Sequence, residues 1–213
     1  MTGRPGAGSA VLRVVGAAVL VAAAVFAALL AADLRAWPPA LERGDAIAVV
    51  SPRHASWTPS THLGGLAGSM LGVGDDVALR HGIALYQEVT GQREFLNNEL
   101  DVESLRERAE RVLGGPAASA DPSIASQART LLGILAFGAS ARGGGGASQA
   151  DAAISDFTDA VTLDPSNTAA KFNLELLLRL SAAEGSRRQS SASTGFGSTG
   201  RHAGAGGSPG SGY

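Results

Sequence analysis

The chain has 213 residues, a formal net charge of −2 and no cysteine. The charge, together with the lack of a basic stripe carrying interleaved aromatic residues, argues against nucleic acid as a partner, and the lack of cysteine excludes disulfides, thiolate metal sites and a cysteine nucleophile. Only 5% of the residues are aromatic, whereas 45% are apolar and glycine numbers 29, so small residues and leucine must form the core, which favours an all-α fold.

The first predicted element is an uncharged run at residues 14–32, which reads VVGAAVLVAAAVFAALLAA. Its length is close to the ~20 residues that a helix needs to cross the ~30 Å hydrocarbon core of a bilayer. We therefore predict one transmembrane helix, with Trp37 at the membrane interface and with Pro38 and Pro39 ending the helix. The alternative is a cleaved signal peptide, but the run is longer than the usual apolar region and its small-residue cleavage site is poorly formed.

Basic residues predict the orientation of this helix. Arg4, Arg13 and the amino group precede the apolar run, whereas Arg35 and Arg43 follow it, so the N-terminal side carries one more basic group. The positive-inside rule then places residues 1–13 in the cytoplasm. The predicted localisation is the cell membrane, as a single-pass protein whose soluble domain is extracytoplasmic.

Residues 33–74 are rich in proline, glycine and serine, which predicts a spacer that lies either on the membrane or on the domain. The short run AIAVV at residues 46–50 is β-like, so the spacer is expected to hold one isolated strand at most. His54 and His62 have no carboxylates next to them in sequence, which favours surface positions over metal ligation.

Residues 75–184 show helical periodicity and are predicted to form an all-α domain of five helices. In the first helix, His81 is interpreted as a partly buried or groove-facing residue and not as a catalytic one. The third helix is expected to begin with Asp121 as N-cap and Pro122 at the first helical position. The last helix is expected to start at Thr168. Residues 185–213 are dominated by glycine and serine, which predicts a disordered tail.

Small, aromatic and proline residues recur at a regular spacing in the last three predicted helices. They are Leu132, Gly133, Ala153, Phe157, Ala160 and Pro165, followed by Asn173 and Leu174 in the segment AAKFNL. This set resembles the tetratricopeptide repeat, a 34-residue helix–turn–helix unit. The resemblance implies that these eight residues pack neighbouring helices together. The turn SARGGGGASQ is longer than the turn of that family, and the earlier helix pair, residues 76–113, resembles the repeat more weakly and is expected to pack as a degenerate repeat or a cap.

The sequence KFNLELLLRL after LDPSN, behind a single anchor, is also similar to membrane tetratricopeptide proteins encoded beside MoxR-type AAA+ ATPases and von Willebrand factor A-domain proteins in bacteria. This resemblance implies a role in the assembly of a cell-envelope complex, with membrane-associated protein partners.

Stacked helix pairs form a concave surface that suits a peptide or a partner helix. The candidate partner surface consists of Arg129, Lys171, Phe172, Glu175 and Arg179. The sequence contains no zinc-protease motif, phosphate-binding lysine loop or nucleophile elbow. We therefore predict a docking scaffold and no enzyme, without catalytic residues, metals or cofactors. A structural spacer protein is the alternative function, and self-association stays open.

Overall fold

The computed structural model describes residues 7–92, 99–140 and 146–195. Within these ranges the chain contains helices and no strand, which confirms the predicted all-α class. The helices are α1 (Ala7–Val50), α2 (Leu66–Leu71), α3 (Gly74–Gln92), α4 (Glu99–Leu113), α5 (Pro122–Ser140), α6 (Gly146–Leu163) and α7 (Thr168–Gly195). Short 3-10 helices cover Pro52–His54 and Pro116–Ala118.

Helix α1 has two halves in different environments. Every residue from 12 to 28 is exposed, and this half supplies an 18-residue window with a mean hydropathy of 2.7. In the second half Asp33, Trp37, Ala40 and Gly44 are buried against the rest of the chain. Among the described residues, one helix, near the N-terminus, is therefore long and apolar enough to cross a membrane.

The prediction that Pro38 and Pro39 end the first helix is wrong, because α1 continues through both of them to Val50. Each proline lacks an N–H, which leaves a carbonyl one turn earlier unpaired and costs ~3 kcal/mol or more in a helix interior. Both proline rings are exposed, so the freed carbonyls lie on the side that solvent can reach. On the opposite side of α1, Trp37, Ala40 and Gly44 are buried against the rest of the chain, and these tertiary contacts keep the segment helical through both prolines.

The predicted strand at residues 46–50 is also wrong, because these residues form the last turn of α1. The wider segment 33–74 contains the second half of α1, a 3-10 helix and α2. Helix α1 packs against the 3-10 helix and against α2, and the 3-10 helix packs against α3. Residues 46–50 are helical although the side chains of Val49 and Val50 are exposed, so their β-like composition does not decide their conformation.

Two helical hairpins and a final helix form the domain beyond α1. Helices α3 and α4 form the first hairpin, α5 and α6 form the second, and α7 packs on both α6 and α5. One core cluster joins α3, α4 and α5, and a second joins α5, α6 and α7. Helix α5 thus contributes to both cores. Its predicted start is confirmed, because Asp121 Oδ1 accepts hydrogen bonds from the N–H groups of Ser123 (2.8 Å) and Ile124 (3.3 Å).

The last helix is longer than predicted, since α7 continues beyond residue 185 to Gly195. The remainder of the predicted disordered tail, residues 196–213, lies outside the described residues, as do residues 1–6 of the predicted cytoplasmic segment and residues 141–145 of the glycine-rich turn.

Candidate docking surface

A buried carboxylate joins α1 to the loop before α2. Asp33 is 1% exposed, and its carboxylate accepts hydrogen bonds from the N–H groups of His62 and Leu63 at 2.8–3.0 Å. The Nδ1 atom of His62 also lies 2.8 Å from Asp33 Oδ1. Because Asp33 directly follows the apolar run, this contact places the loop beside the end of that run.

A second contact joins α1 to the loop and to α3. Trp57 is 2% exposed, and its ring lies so close to Gly44 that a Cβ there would be 2.7 Å from Trp57 Cγ. The indole N–H donates a hydrogen bond of 2.8 Å to Asp45. Asp45 also pairs with Arg80 of α3, and Arg80 pairs in turn with Asp76 at 3.1 Å. The second half of α1 is therefore part of the helical domain.

The two hairpins use the same kind of contact between their helices. In the second hairpin, a Cβ on Gly133 would lie 2.7 Å from the ring of Phe157, which is 2% exposed. In the first hairpin, Gly82 stands equally close to Leu113. Phe157 follows the buried Ala153 by four residues, and Leu113 follows the buried Ala109 by four residues. Each hairpin thus pairs a glycine on its first helix with a large side chain one turn after a buried alanine.

The remaining residues of the predicted packing set differ in exposure. Ala160 is fully buried, Leu132, Asn173 and Leu174 are half-buried, and Pro165 is exposed just after the end of α6. The sequence pattern therefore falls mainly on the interfaces between α5, α6 and α7.

Asn167 connects α7 to α5, a role that the sequence analysis did not predict. Its Oδ1 atom accepts the Ala170 N–H at 3.0 Å, which caps the start of α7. Its amide nitrogen donates to Ser126 Oγ at 2.8 Å and to Thr130 Oγ1 at 3.0 Å, and Ser126 donates onward to the carbonyl of Ala160 at 2.7 Å. Asparagine directly before Thr168 is a recognisable N-cap residue. The Ser126 and Thr130 hydroxyls, however, lie about forty positions away in sequence, so no local pattern predicts their bonds to Asn167.

The structure separates Arg129 from the rest of the predicted partner surface. Its guanidinium bonds Asp156 at 3.0 Å and lies 3.6 Å from Asp159, both on α6. Burial raises the pKa of Asp156 even though Arg129 is bonded to it. Arg129 therefore ties α5 to α6, and its charge is already matched within the protein.

The other four predicted residues lie together on the outer side of α7. Lys171, Glu175 and Arg179 recur every fourth residue and form one row, in which Arg179 pairs with Glu175. Beside them, Phe172, Leu176 and Leu180 form a second row, with exposed fractions of 66%, 41% and 43%. We call this second row the α7 stripe. Ala170 and Leu177, on the opposite side of α7, are buried against the domain. The α7 stripe is therefore on the side of the helix that the domain does not cover.

A separate groove of about 960 Å³ lies between α3, α4 and the 3-10 helix Pro52–His54. Its walls include Leu105 and Val112 together with His81 and Arg108. The His81 ring meets the Trp57 ring edge-on with their centroids 4.8 Å apart. Partial burial lowers the pKa of His81, and the Arg108 guanidinium lowers it further. His81 thus lines a groove, which is one of the two positions expected for it.

These features define an all-helical protein in which one long apolar helix near the N-terminus continues into a domain of stacked helices. Comparison with protein-family models, with curated proteins and with solved structures finds no match for this chain. Among the described residues, no three His, Cys, Asp or Glu side chains are grouped so that they could hold a metal ion.

Proposed function

We propose that this chain is a single-pass membrane protein whose tetratricopeptide-like domain docks a partner protein. The observation that carries the proposal is the exposed α7 stripe, Phe172, Leu176 and Leu180, at the end of a helical array. Helix α6 packs on α5 and α7 packs on α6, so the stripe lies where one more helix would continue the stacking. Covering such an apolar row with a partner is favourable, because it removes apolar surface from water.

The repeated contact in the two hairpins supports the tetratricopeptide-like part of the proposal. Gly82 with Leu113 and Gly133 with Phe157 show that the same packing device occurs twice along the chain. Asn167 then caps the start of α7 and bonds that start to α5, so α7 packs where a further repeat would begin. Two hairpins and a following helix approach the three units that a helical repeat array needs for a continuous core.

The partner segment that fits this surface is an amphipathic helix. Phe172, Leu176 and Leu180 recur at the spacing at which helices present apolar anchors to each other. The neighbouring row of Lys171, Glu175 and Arg179 borders the apolar contact. Complementary charges on the partner helix would fix the register of that helix, and like charges would disfavour other partners. Since the chain also carries a candidate anchor, we propose that this partner belongs to a membrane-associated complex of a bacterial cell envelope and that the domain is extracytoplasmic.

Site-specific photo-crosslinking of the full-length chain in its native membranes tests this function. A photo-crosslinking amino acid replaces Leu176 in one variant and Leu163 of α6 in the other, because these two leucines are 41% and 40% exposed. We expect one discrete adduct with another protein at position 176 and none at position 163. The adduct should disappear when Phe172→Asp is added, because a charge would then have to be buried in the interface.

Two results of this experiment would contradict the proposal. Equal adducts at both positions would mean that the α7 stripe is ordinary surface. An adduct formed by two differently tagged copies of this chain would show that the stripe serves self-association.

A spacer function is the second candidate, and the continuity of α1 favours it. Because α1 runs unbroken from the apolar half to Val50, the domain stands at a set distance from the end of the apolar run. A spacer needs this geometry but does not need the α7 stripe. Absence of any adduct at position 176, in membranes where the chain is correctly folded, would favour the spacer.

A further inference from the structure

The loop before α2 and α2 itself lie beside the end of the apolar half of α1. Asp33 holds the N–H groups of His62 and Leu63, and Ala32 is the last residue of the apolar run. Four residues beyond Asp33, Trp37 packs on α2, where a Cβ on Gly68 would lie 2.6 Å from the Trp37 ring. A helix rises ~1.5 Å per residue, so these contacts fall within ~8 Å of Ala32 along the axis of α1.

This distance matches the headgroup layer of a membrane. A bilayer has a hydrocarbon core of ~30 Å and a total thickness of ~40–45 Å, which leaves ~5–8 Å of headgroup region on each side. If residues 14–32 fill the hydrocarbon core, the segment from His62 to Gly68 stands at headgroup level. The packing of α1 agrees, because Leu29 and Leu30 are already half-buried whereas residues 12–28 are all exposed.

The composition of the segment suits a lipid surface. No Asp, Glu, Lys or Arg occurs from residue 54 to residue 74, although charged residues follow immediately at Asp75 and Asp76. Helix α2 buries Ala67 and Gly68 against the protein, and it exposes Leu66 and Met70, which are one turn apart, as well as Leu71. Met70 is 62% exposed. The transfer of such a segment, without charged side chains and with exposed apolar ones, from water to the boundary between headgroups and acyl chains is favourable.

We propose that α2 is a second membrane contact, in which Leu66 and Met70 insert into the lipid surface beside α1. This inference rests on the proposed membrane span of α1. Because Asp33, Trp37 and Gly44 already attach α1 to the domain, a lipid contact at α2 gives the domain two points of support. The domain is then oriented on the membrane, which directs the α7 stripe at a set angle towards its partner.

Depth-dependent quenching in vesicles tests the proposal. The chain has no cysteine, so Met70→Cys, Val50→Cys and Leu20→Cys each provide a single site for an environment-sensitive fluorescent label. Val50 is 86% exposed and lies ~27 Å beyond Ala32 along α1, outside the headgroup layer. Leu20 is 72% exposed and lies in the apolar run. Each full-length variant is reconstituted in vesicles of phosphatidylethanolamine and phosphatidylglycerol, with or without lipids that carry a nitroxide on the acyl chain.

We expect the label at position 70 to emit at shorter wavelength than the label at position 50. Nitroxide lipids should quench it at least twofold, whereas position 50 should be unaffected and position 20 strongly quenched. Leu66→Cys provides a second site on the same side of α2 and should behave like Met70→Cys.

The arms of the experiment separate the inference from the proposed function. If position 20 is quenched while positions 66 and 70 behave like position 50, the membrane span stands and the second contact is overturned. If position 70 emits at shorter wavelength but is not quenched by nitroxide lipids, protein covers α2 and the lipid contact is equally overturned. If position 20 is not quenched either, both the span and the second contact fall.

Discussion

The ring of Trp57 rests on the backbone of Gly44, with no room for even a methyl group between them. Gly44 lies more than one turn beyond Pro39 on α1, and Trp57 belongs to the loop that leads towards α2. The same indole donates a hydrogen bond to Asp45, which pairs with Arg80 of α3. One aromatic side chain thus connects the N-terminal helix to the first hairpin, so the candidate anchor and the domain form a continuous structure.

The first prediction concerns this contact. We expect Gly44→Ala to lower the free energy of unfolding by ~1 kcal/mol or more, because overpacking costs ~1–3 kcal/mol and outweighs the gain in helix propensity of up to ~1 kcal/mol. Gly74→Ala is the matched control, since a Cβ there would meet nothing within 4 Å. It should be neutral or stabilising. The measurement is denaturant unfolding of the full chain in detergent micelles, and equal stability of the two variants would contradict the close contact.

The second prediction concerns Asn167. Asn167→Ala should destabilise the protein by roughly 1–2 kcal/mol, because it removes an N-cap and the bonds to Ser126 and Thr130. Asn167→Asp keeps an oxygen for the cap but has no amide donor. We therefore expect its melting temperature to lie between those of the wild type and the alanine variant. If the aspartate variant is as stable as the wild type, the link to α5 contributes nothing.

The third prediction compares two phenylalanines. Phe157→Ala should cost ~3–5 kcal/mol, because Phe157 is buried against Gly133. Phe172→Ala should change stability by no more than ~0.5 kcal/mol, because two thirds of that side chain is exposed. Thermal unfolding followed by circular dichroism checks both values. A large loss of stability for Phe172→Ala would mean that the α7 stripe is covered within the chain and is not available to a partner.

The fourth prediction is a pH dependence from His81. Partial burial and Arg108 hold the pKa of His81 below its unfolded value of about 6.5 in the folded state. The unfolded chain therefore binds the proton more readily, and the stability contributed by His81 is present above pH ~6.5 and lost as the pH falls through the folded pKa. The melting temperature should drop between pH 7.5 and pH 5.5.

Two variants isolate the His81 contribution. His81→Gln removes the titrating group, so the drop should shrink. Arg108→Gln removes one cause of the lowered pKa and should reduce the drop partly. An unchanged drop in His81→Gln would assign the pH dependence to other groups.

The fifth prediction concerns orientation. Ser60 is exposed, and a membrane-impermeant thiol reagent should label Ser60→Cys in intact cells if the domain is extracytoplasmic. Ser9→Cys, in the N-terminal flank of the apolar run, should react only after the membrane is disrupted. The reverse pattern would place the domain in the cytoplasm and would show that the few basic residues on each side do not decide the topology.

The helices of the domain could be predicted from local patterns because each carries its signals within a few residues. The cap at Asp121 is confirmed by its bonds to Ser123 and Ile124, and Phe157, which the resemblance implied to pack between helices, is buried. Helical periodicity and capping depend on neighbours three or four positions away, so the sequence displays them directly.

The candidate docking surface was predicted less completely. Lys171, Phe172, Glu175 and Arg179 do lie on one exposed side of α7, because their spacing follows the helical period. Arg129 does not join them, since Asp156 and Asp159 on α6 bind its guanidinium. The pairing of Arg129 depends on how α5 and α6 pack against each other, which residue spacing along the sequence does not predict.

Composition and periodicity act locally, so they were enough to predict the all-α class and one long apolar helix near the N-terminus. The passage of α1 through Pro38 and Pro39 and the helical conformation of residues 46–50 depend instead on tertiary contacts. The local cost of two prolines favours a break, but Asp33, Trp37 and Gly44 each gain contacts with residues far along the chain. The sum of these distant contacts outweighs the local preference, and it attaches the candidate anchor to the domain.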